Sequence, residues 1–228
     1  MRSLLSLLFC VSFIWPASAG EVTVAVASSF QTTLEALKPA FEAKSGDKLT
    51  IIAGATGKLA TQIQQGAPFD VFLAADDAAT KTVSGEAATE FTYAHGKLAL
   101  YGQPPDLGAD WLKAGNYSHI AIANPKLAPY GRAAMQVLTA LNLDLKDKIV
   151  SGENVAQAFT LVDSGNAEAG FVALAQTKGK AGTVWEVPAD LYAPIRQNAI
   201  LTAHGKDNAA ATSFMEFIKT DAAGKKLA

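Results

Sequence analysis

The chain has 228 residues, with 19 Lys and Arg against 21 Asp and Glu, and a formal net charge of −2. That length is enough for one large domain or two lobes with their own cores, and the charge balance speaks against a nucleic-acid binder, which would be basic. The single cysteine, Cys10, lies in an N-terminal apolar run that is expected to be removed, so the mature chain must rely on packing rather than a disulfide.

Met1 and Arg2 give a positive start, Leu4 to Trp15 is mostly apolar, and Pro16-Ala17-Ser18-Ala19-Gly20 has the small residues that a signal peptidase reads. The run is too short and wrongly flanked to span a membrane. Residues 1–19 therefore read as a cleavable secretory signal, cut after Ala19. Phe9 is too bulky to precede a lipidated Cys10. The expected product is a soluble protein outside the cytoplasm, in a periplasm.

Short apolar segments then alternate with helical patterns. Val22–Val26 reads as a strand, and Phe30, Leu34, Leu37 and Phe41 form a helical stripe. Leu49–Ile52 precedes Leu59 and Ile63, and Val71–Ala74 and Leu98–Tyr101 follow as strands. Ile120–Ala123 precedes Met135, Leu138 and Leu141. Val155, Phe159 and Val162 form the next stripe, before Gly170–Val172, Val184–Val187 and Ala199–Thr202. The alternation predicts an α/β protein with mainly parallel sheets flanked by helices. Gly102-Gln103-Pro104-Pro105 and Tyr192-Ala193-Pro194-Ile195 read as paired crossings between lobes. They divide the chain into 20–102 with 196–228 as lobe 1, and 103–195 as lobe 2.

Four helices start on small polar residues: after Ala27-Ser28-Ser29, after Ala53-Gly54-Ala55-Thr56-Gly57, after Ala128-Pro129-Tyr130-Gly131, and after Ser151-Gly152-Glu153-Asn154. Ser, Thr and Asn there are good N-caps. A helix N-terminus also carries unpaired N–H groups and partial positive charge, which suits an anion. In α/β sheets these turns lie at the strand ends where ligands sit. A cleft lined by all four would offer many N–H and O–H donors and little formal charge. That chemistry fits a fully ionised oxyanion, whose burial demands a complete shell of donors.

Several stretches, taken together and in order, carry a resemblance. They are Val24 through Phe30, Gly54 through Ala60, Gly66-Ala67-Pro68-Phe69-Asp70 through Asp76, Asn124-Pro125 through Arg132, Gly152 through Val155, and Gly170 through Leu174. The chain resembles the molybdate-binding periplasmic proteins of molybdate ABC transporters over essentially its whole mature length. The resemblance implies a two-lobed type II periplasmic-binding fold with the ligand in the interlobe cleft. Its oxyanion ligands would be Ser28 or Ser29 and Thr56 from the first lobe, with Tyr130 and Val155 from the second, Val155 through its backbone N–H. Ser29 is preferred over Ser28, which matches a non-binding alanine in some relatives. Many family members supply a tyrosine hydroxyl at the position of Ala173, and Tyr130 is expected to have taken over that task. The chain ends at Lys226-Leu227-Ala228, shorter than many relatives, as if the C-terminal helix were trimmed.

The function implied is non-enzymatic capture of molybdate, and of tungstate, by a monomer that delivers it to an inner-membrane permease with its ATPase. No cofactor and no direct metal ligand are expected; molybdenum would arrive as the oxyanion. A receptor for sulfate or another oxyanion is the alternative. An exported enzyme on the same fold, with Asp70, Asp76 and a histidine meeting in the cleft, is another, and a scavenger or sensor without a transporter a third. Gly54–Lys58 lacks the full phosphate-loop spacing. Lys58 reads as solvated, Arg132 as a surface ion pair or an anion guide, and Asp70, Asp76 and Asp77 as helix caps and supports. His95, His119 and His204 have no metal-ligand spacing.

Overall fold

β1 (Glu21–Ala27) turns Val22, Val24 and Val26 to one face, where they are fully buried. In the computed structural model, which describes residues 19–83, 85 and 89–222, that face packs on α1 (Gln31–Ser45) and α7 (Ala209–Phe217). The expected signal sequence, save Ala19, and the last residues, 223–228, lie outside the described residues. Phe41 of α1 meets Phe214 and Phe217 edge-on, at centroid distances of 5.3 and 5.5 Å, an arrangement aromatic quadrupoles favour. Ala25 points to the opposite face, into a second cluster with Phe72, Ile200, Leu59 and Ile63 under α2 (Thr56–Gln64). Period-two alternation thus builds core on both faces of one sheet.

That sheet has the order β2-β1-β3-β10-β4, with β2 at Lys48–Gly54, β3 at Val71–Leu73, β4 at Phe91–Gly96 and β10 at Ile195–Leu201. The second has the order β7-β6-β8-β5-β9, with β5 at Leu98–Gly102, β6 at Ile120–Ala123, β7 at Ile149–Gly152, β8 at Ala169–Ala173 and β9 at Thr183–Glu186. Around it lie α4 (Ala109–Ala114), α5 (Pro129–Ala140) and α6 (Val155–Asp163), and a short α3 (Asp77–Thr80) follows β3. Among the described residues no helix is long and apolar enough to cross a membrane.

Both sheets are mixed. β1 is parallel to β2 and β3, and β6 to β7 and β8, whereas β10 runs antiparallel to β3 and β4, and β5 to β8 and β9. The parallel pairs come from βαβ crossovers, and the antiparallel ones from the strands next to the two places where the chain changes sheet. The first change was expected after Gly102, at the Gly102-Gln103-Pro104-Pro105 signal. It falls instead at Lys97, between β4 and β5, because Leu98–Gly102 is buried throughout and pairs only within the second sheet. The Gly-Pro signal at 102–105 marks the turn out of β5. The second change of sheet precedes Ile195, the first residue of β10. β4 and β7 escape notice in the sequence because half-exposed residues interrupt their apolar pattern. In α5 the buried face carries Tyr130, Ala134, Val137 and Leu138, so the expected Met135–Leu138–Leu141 stripe is displaced around the helix by small residues that pack closely.

Candidate functional site

Ends of parallel strands from both sheets meet at one cleft. Its lining includes Ser28, Ser29, Thr56, Tyr130, Asn154 and Val155. All five candidate ligand residues are therefore brought together, from four turns that are far apart in sequence. Among the described residues no charged side chain lines the cleft.

The turns differ in how they spend their polar groups. The Ser28 N–H donates to Gly54 O at 3.0 Å, while its Oγ accepts from the Ala156 N–H of the opposite side at 3.4 Å. Ser29 is almost fully buried, and its Oγ has no hydrogen-bond partner. A buried orphan hydroxyl costs free energy unless something supplied from outside satisfies it. Thr56, 2% exposed, accepts from the Ala75 N–H at 3.1 Å, so its own hydrogen remains to donate. Among the described residues, the backbone N–H groups of Ser29, Thr56, Tyr130 and Val155 find no acceptor. Three of these sit in the first turn of a helix, where intrahelical acceptors do not exist.

Asn154 alone among these residues acts as the N-cap expected of it. Its Oδ1 accepts from Ala156 N and Gln157 N, both at 3.0 Å. Ser28 and Ser29 do not cap α1, because Phe30 occupies the cap position, and Thr56 already lies inside α2. Their hydroxyl hydrogens thus remain available to donate into the cleft. α5 begins Ala128-Pro129 without a side-chain cap, and proline at the first helical position forfeits only a hydrogen bond that the helix could not make. The residue after Tyr130 must be small: a β-carbon on Gly131 would collide with Ala123 O and the Asn124 carbonyl carbon, so glycine lets the helix start sit directly on the end of β6.

Tyr130 is 3% exposed, and burial pushes its phenol well above its ordinary range. Ser29 lies close enough to pull the other way, though its Oγ makes no well-formed hydrogen bond. The Tyr130 hydroxyl receives a hydrogen bond from Gln197 Nε2 at 3.4 Å, and Gln197 Oε1 accepts from Tyr93 Oη at 3.0 Å. Gln197 and Tyr93 carried no signal in the sequence; they reach the site from strands with no motif of their own. Ala173 ends β8, buried but not among the cleft's lining residues, and Tyr130 occupies the cleft instead.

Charge stays at the rim. Lys58 pairs with Glu153 at 2.8 Å, and Arg132 with Asp76, each across the cleft. Gly57 N–H donates to Leu127 O at 2.8 Å, a third tie between the two sides. Asp76 also caps α3 through Ala79 N. Asp70 does meet a histidine, His204, at 3.1 Å. Both lie near the start of β3, the end away from the cleft, where Asp70 accepts from Thr23 N. The three residues of the enzyme alternative therefore do not converge. Among the described residues no cluster of His, Cys, Asp or Glu could hold a metal ion.

The sequence model of bacterial extracellular solute-binding proteins matches residues 22–228. The chain belongs to the bacterial extracellular solute-binding protein family. The molybdate-binding protein ModA of Azotobacter vinelandii is 46% identical to this solute-binding protein over 89% of the chain and 86% of the relative. The molybdate-binding protein ModA of Rhodobacter capsulatus is 43% identical over 90% and 85%. The solved structure of the periplasmic molybdate-binding protein of Azotobacter vinelandii superposes with a TM-score of 0.83, at 37% identity, over 89% of this chain and 97% of that one. The fold expected from the sequence, and the expectation of a binding protein rather than an enzyme, agree with this membership.

Proposed function

We propose that this solute-binding protein captures molybdate, and tungstate, in the cleft between its two sheets, and passes it to an inner-membrane permease driven by an ATPase. The observation that carries the reading is the make-up of the cleft: neutral donors from four helix starts, with one hydroxyl, that of Ser29, buried and unpartnered. An anion bound there would receive the unpaired N–H groups of Ser29, Thr56, Tyr130 and Val155 and the hydroxyls of Ser29, Thr56 and Tyr130. Such bonds to a charged group contribute roughly 1.5–3 kcal/mol each, so together they offset the cost of stripping water from a dianion. The relatives at 46% and 43% identity, named as molybdate binders, favour molybdate among the oxyanions.

The two sheets with their helices serve in this reading as two lobes joined at Lys97 and Pro194, and their approach completes the donor shell. Residues 1–19 are taken as the export signal, and the mature protein is read as a periplasmic monomer. Calorimetric titration of the mature protein with molybdate, tungstate and sulfate tests the reading. Tight binding of the first two with weak competition by sulfate is expected. Equal affinity for sulfate would remove molybdate as the ligand, and absence of heat with any oxyanion would remove the whole reading.

A further inference from the structure

The hydroxyls of the cleft share a pattern. Thr56 Oγ1 accepts from Ala75 N, Ser28 Oγ accepts from Ala156 N, and Tyr130 Oη accepts from Gln197 Nε2. A hydroxyl that accepts an N–H from the protein sends its own hydrogen elsewhere. For Tyr130 this polarity rests on a side chain, not on backbone. Gln197 is buried on β10 beside a break in register at Gln197/Asn198, and such bulges re-aim side chains. Its Oε1 accepts from Tyr93 Oη at 3.0 Å, and the same hydroxyl is shared with Ala74 O, to which it donates at 3.2 Å. An amide whose oxygen is engaged by Tyr93 presents its NH₂ to Tyr130. The phenol hydrogen is then directed away from Gln197, toward the cleft side where Ser29 lies.

We propose that Gln197 is a positioning residue that determines specificity: it holds the Tyr130 hydroxyl as a donor and so favours a fully ionised oxyanion over one that carries a proton. This rests on the oxyanion reading above and deepens it. A protonated oxyanion such as hydrogen phosphate brings an O–H that needs an acceptor. Among the described residues no carboxylate lines the cleft, and the Ser28, Thr56 and Tyr130 oxygens are already engaged by N–H groups. Ser29 Oγ is then the one lining hydroxyl left to accept that O–H, at the loss of its own donation to the anion; elsewhere the O–H faces donors, and a buried unsatisfied donor is penalised.

The test is a competition measurement on the mature protein, reading the ratio of hydrogen phosphate to molybdate dissociation constants. Gln197→Met removes the amide while keeping its length. Gln197→Glu keeps the shape but accepts from both tyrosines, which turns the Tyr130 hydrogen away from the cleft. Either variant is expected to narrow the ratio by about tenfold, the worth of one hydrogen bond to a charged group. In a Tyr130→Phe background the same changes should leave the ratio within about twofold. Equal weakening of both anions would mean a merely structural role and overturn the proposal. Undiminished narrowing in the Tyr130→Phe background would overturn it too. The wild-type titration stands apart: failure to bind molybdate there sinks the oxyanion reading itself, and this inference with it.

Discussion

A β-carbon on Gly96 would overlap the hydroxyl of Tyr130, although the two residues come from β4 of the first sheet and α5 beside the second. Gly96 is the last residue before the chain changes sheet, so the phenol packs against the crossing itself. The same β-carbon would lie 2.9 Å from Ile195 Cγ2, beside the other crossing, and 3.0 Å from Gln197 Nε2. Glycine is required here by space, not by backbone conformation.

Gly96→Ala should therefore act on ligand binding and on stability together. Overpacking of this kind costs about 1–3 kcal/mol. A lower thermal midpoint without ligand and a weaker molybdate affinity are expected, read by calorimetry. An alanine tolerated on both counts would show that the phenol has room to move.

Thr56 offers a cleaner separation of roles. Thr56→Val keeps the shape but leaves the buried Ala75 N–H without its acceptor, at a cost of about 1–3 kcal/mol in the free protein. It also removes a proposed ligand donor, so affinity should fall further. Thr56→Ser restores the hydroxyl and should recover most of the affinity. If the serine variant binds no better than the valine one, the hydroxyl is not a donor.

The ion pairs across the rim should matter little. Lys58 and Glu153 are 50% and 36% exposed at their side chains, and exposed pairs contribute up to about 1 kcal/mol, screened by salt. Lys58→Ala should weaken molybdate binding less than about fivefold in dilute buffer, and less still at high salt. A large, salt-insensitive loss would place Lys58 at the anion.

Alkaline titration should reveal the buried phenols. Burial raises Tyr130, and raises Tyr93 well above its ordinary value of 10.0. The unfolded chain thus loses these protons first as pH rises. Their contribution is intact below pH 10 and is lost as pH climbs above 10 toward the raised folded values. Denaturant midpoints should fall above pH 10, and less steeply in Tyr130→Phe, which should also bind molybdate about tenfold more weakly at neutral pH. An identical alkaline slope in that variant would mean that Tyr130 is not buried as a neutral donor.

Much of this protein is legible in one dimension. The Val22-Val24-Val26 alternation and the Leu34–Leu37–Phe41 spacing specify which face each element buries, because periods of two and about 3.6 residues follow from backbone geometry alone. The small residues at 28–29, 54–57, 128–131 and 151–154 mark helix starts for the same local reason. Whether each polar side chain caps its helix or faces the cleft is a matter of one residue in register. Asn154 falls on the cap position, while Phe30 and Ala55 displace Ser29 and Thr56 from it.

The sequence by itself determined the α/β character, the four donor-bearing turns and, through its resemblance, the family. The tertiary structure alone decided that β5 joins the second sheet, that Asp70 and His204 meet away from the cleft, and that Gly96, Gln197 and Tyr93 surround one phenol. Periodicity reports which side of an element is buried, since that depends on neighbours a few residues away. It carries no information about which distant strand supplies the partner. The Gln197–Tyr130 bond spans 67 positions in sequence, and only the pairing of β10 into the first sheet brings its two ends together.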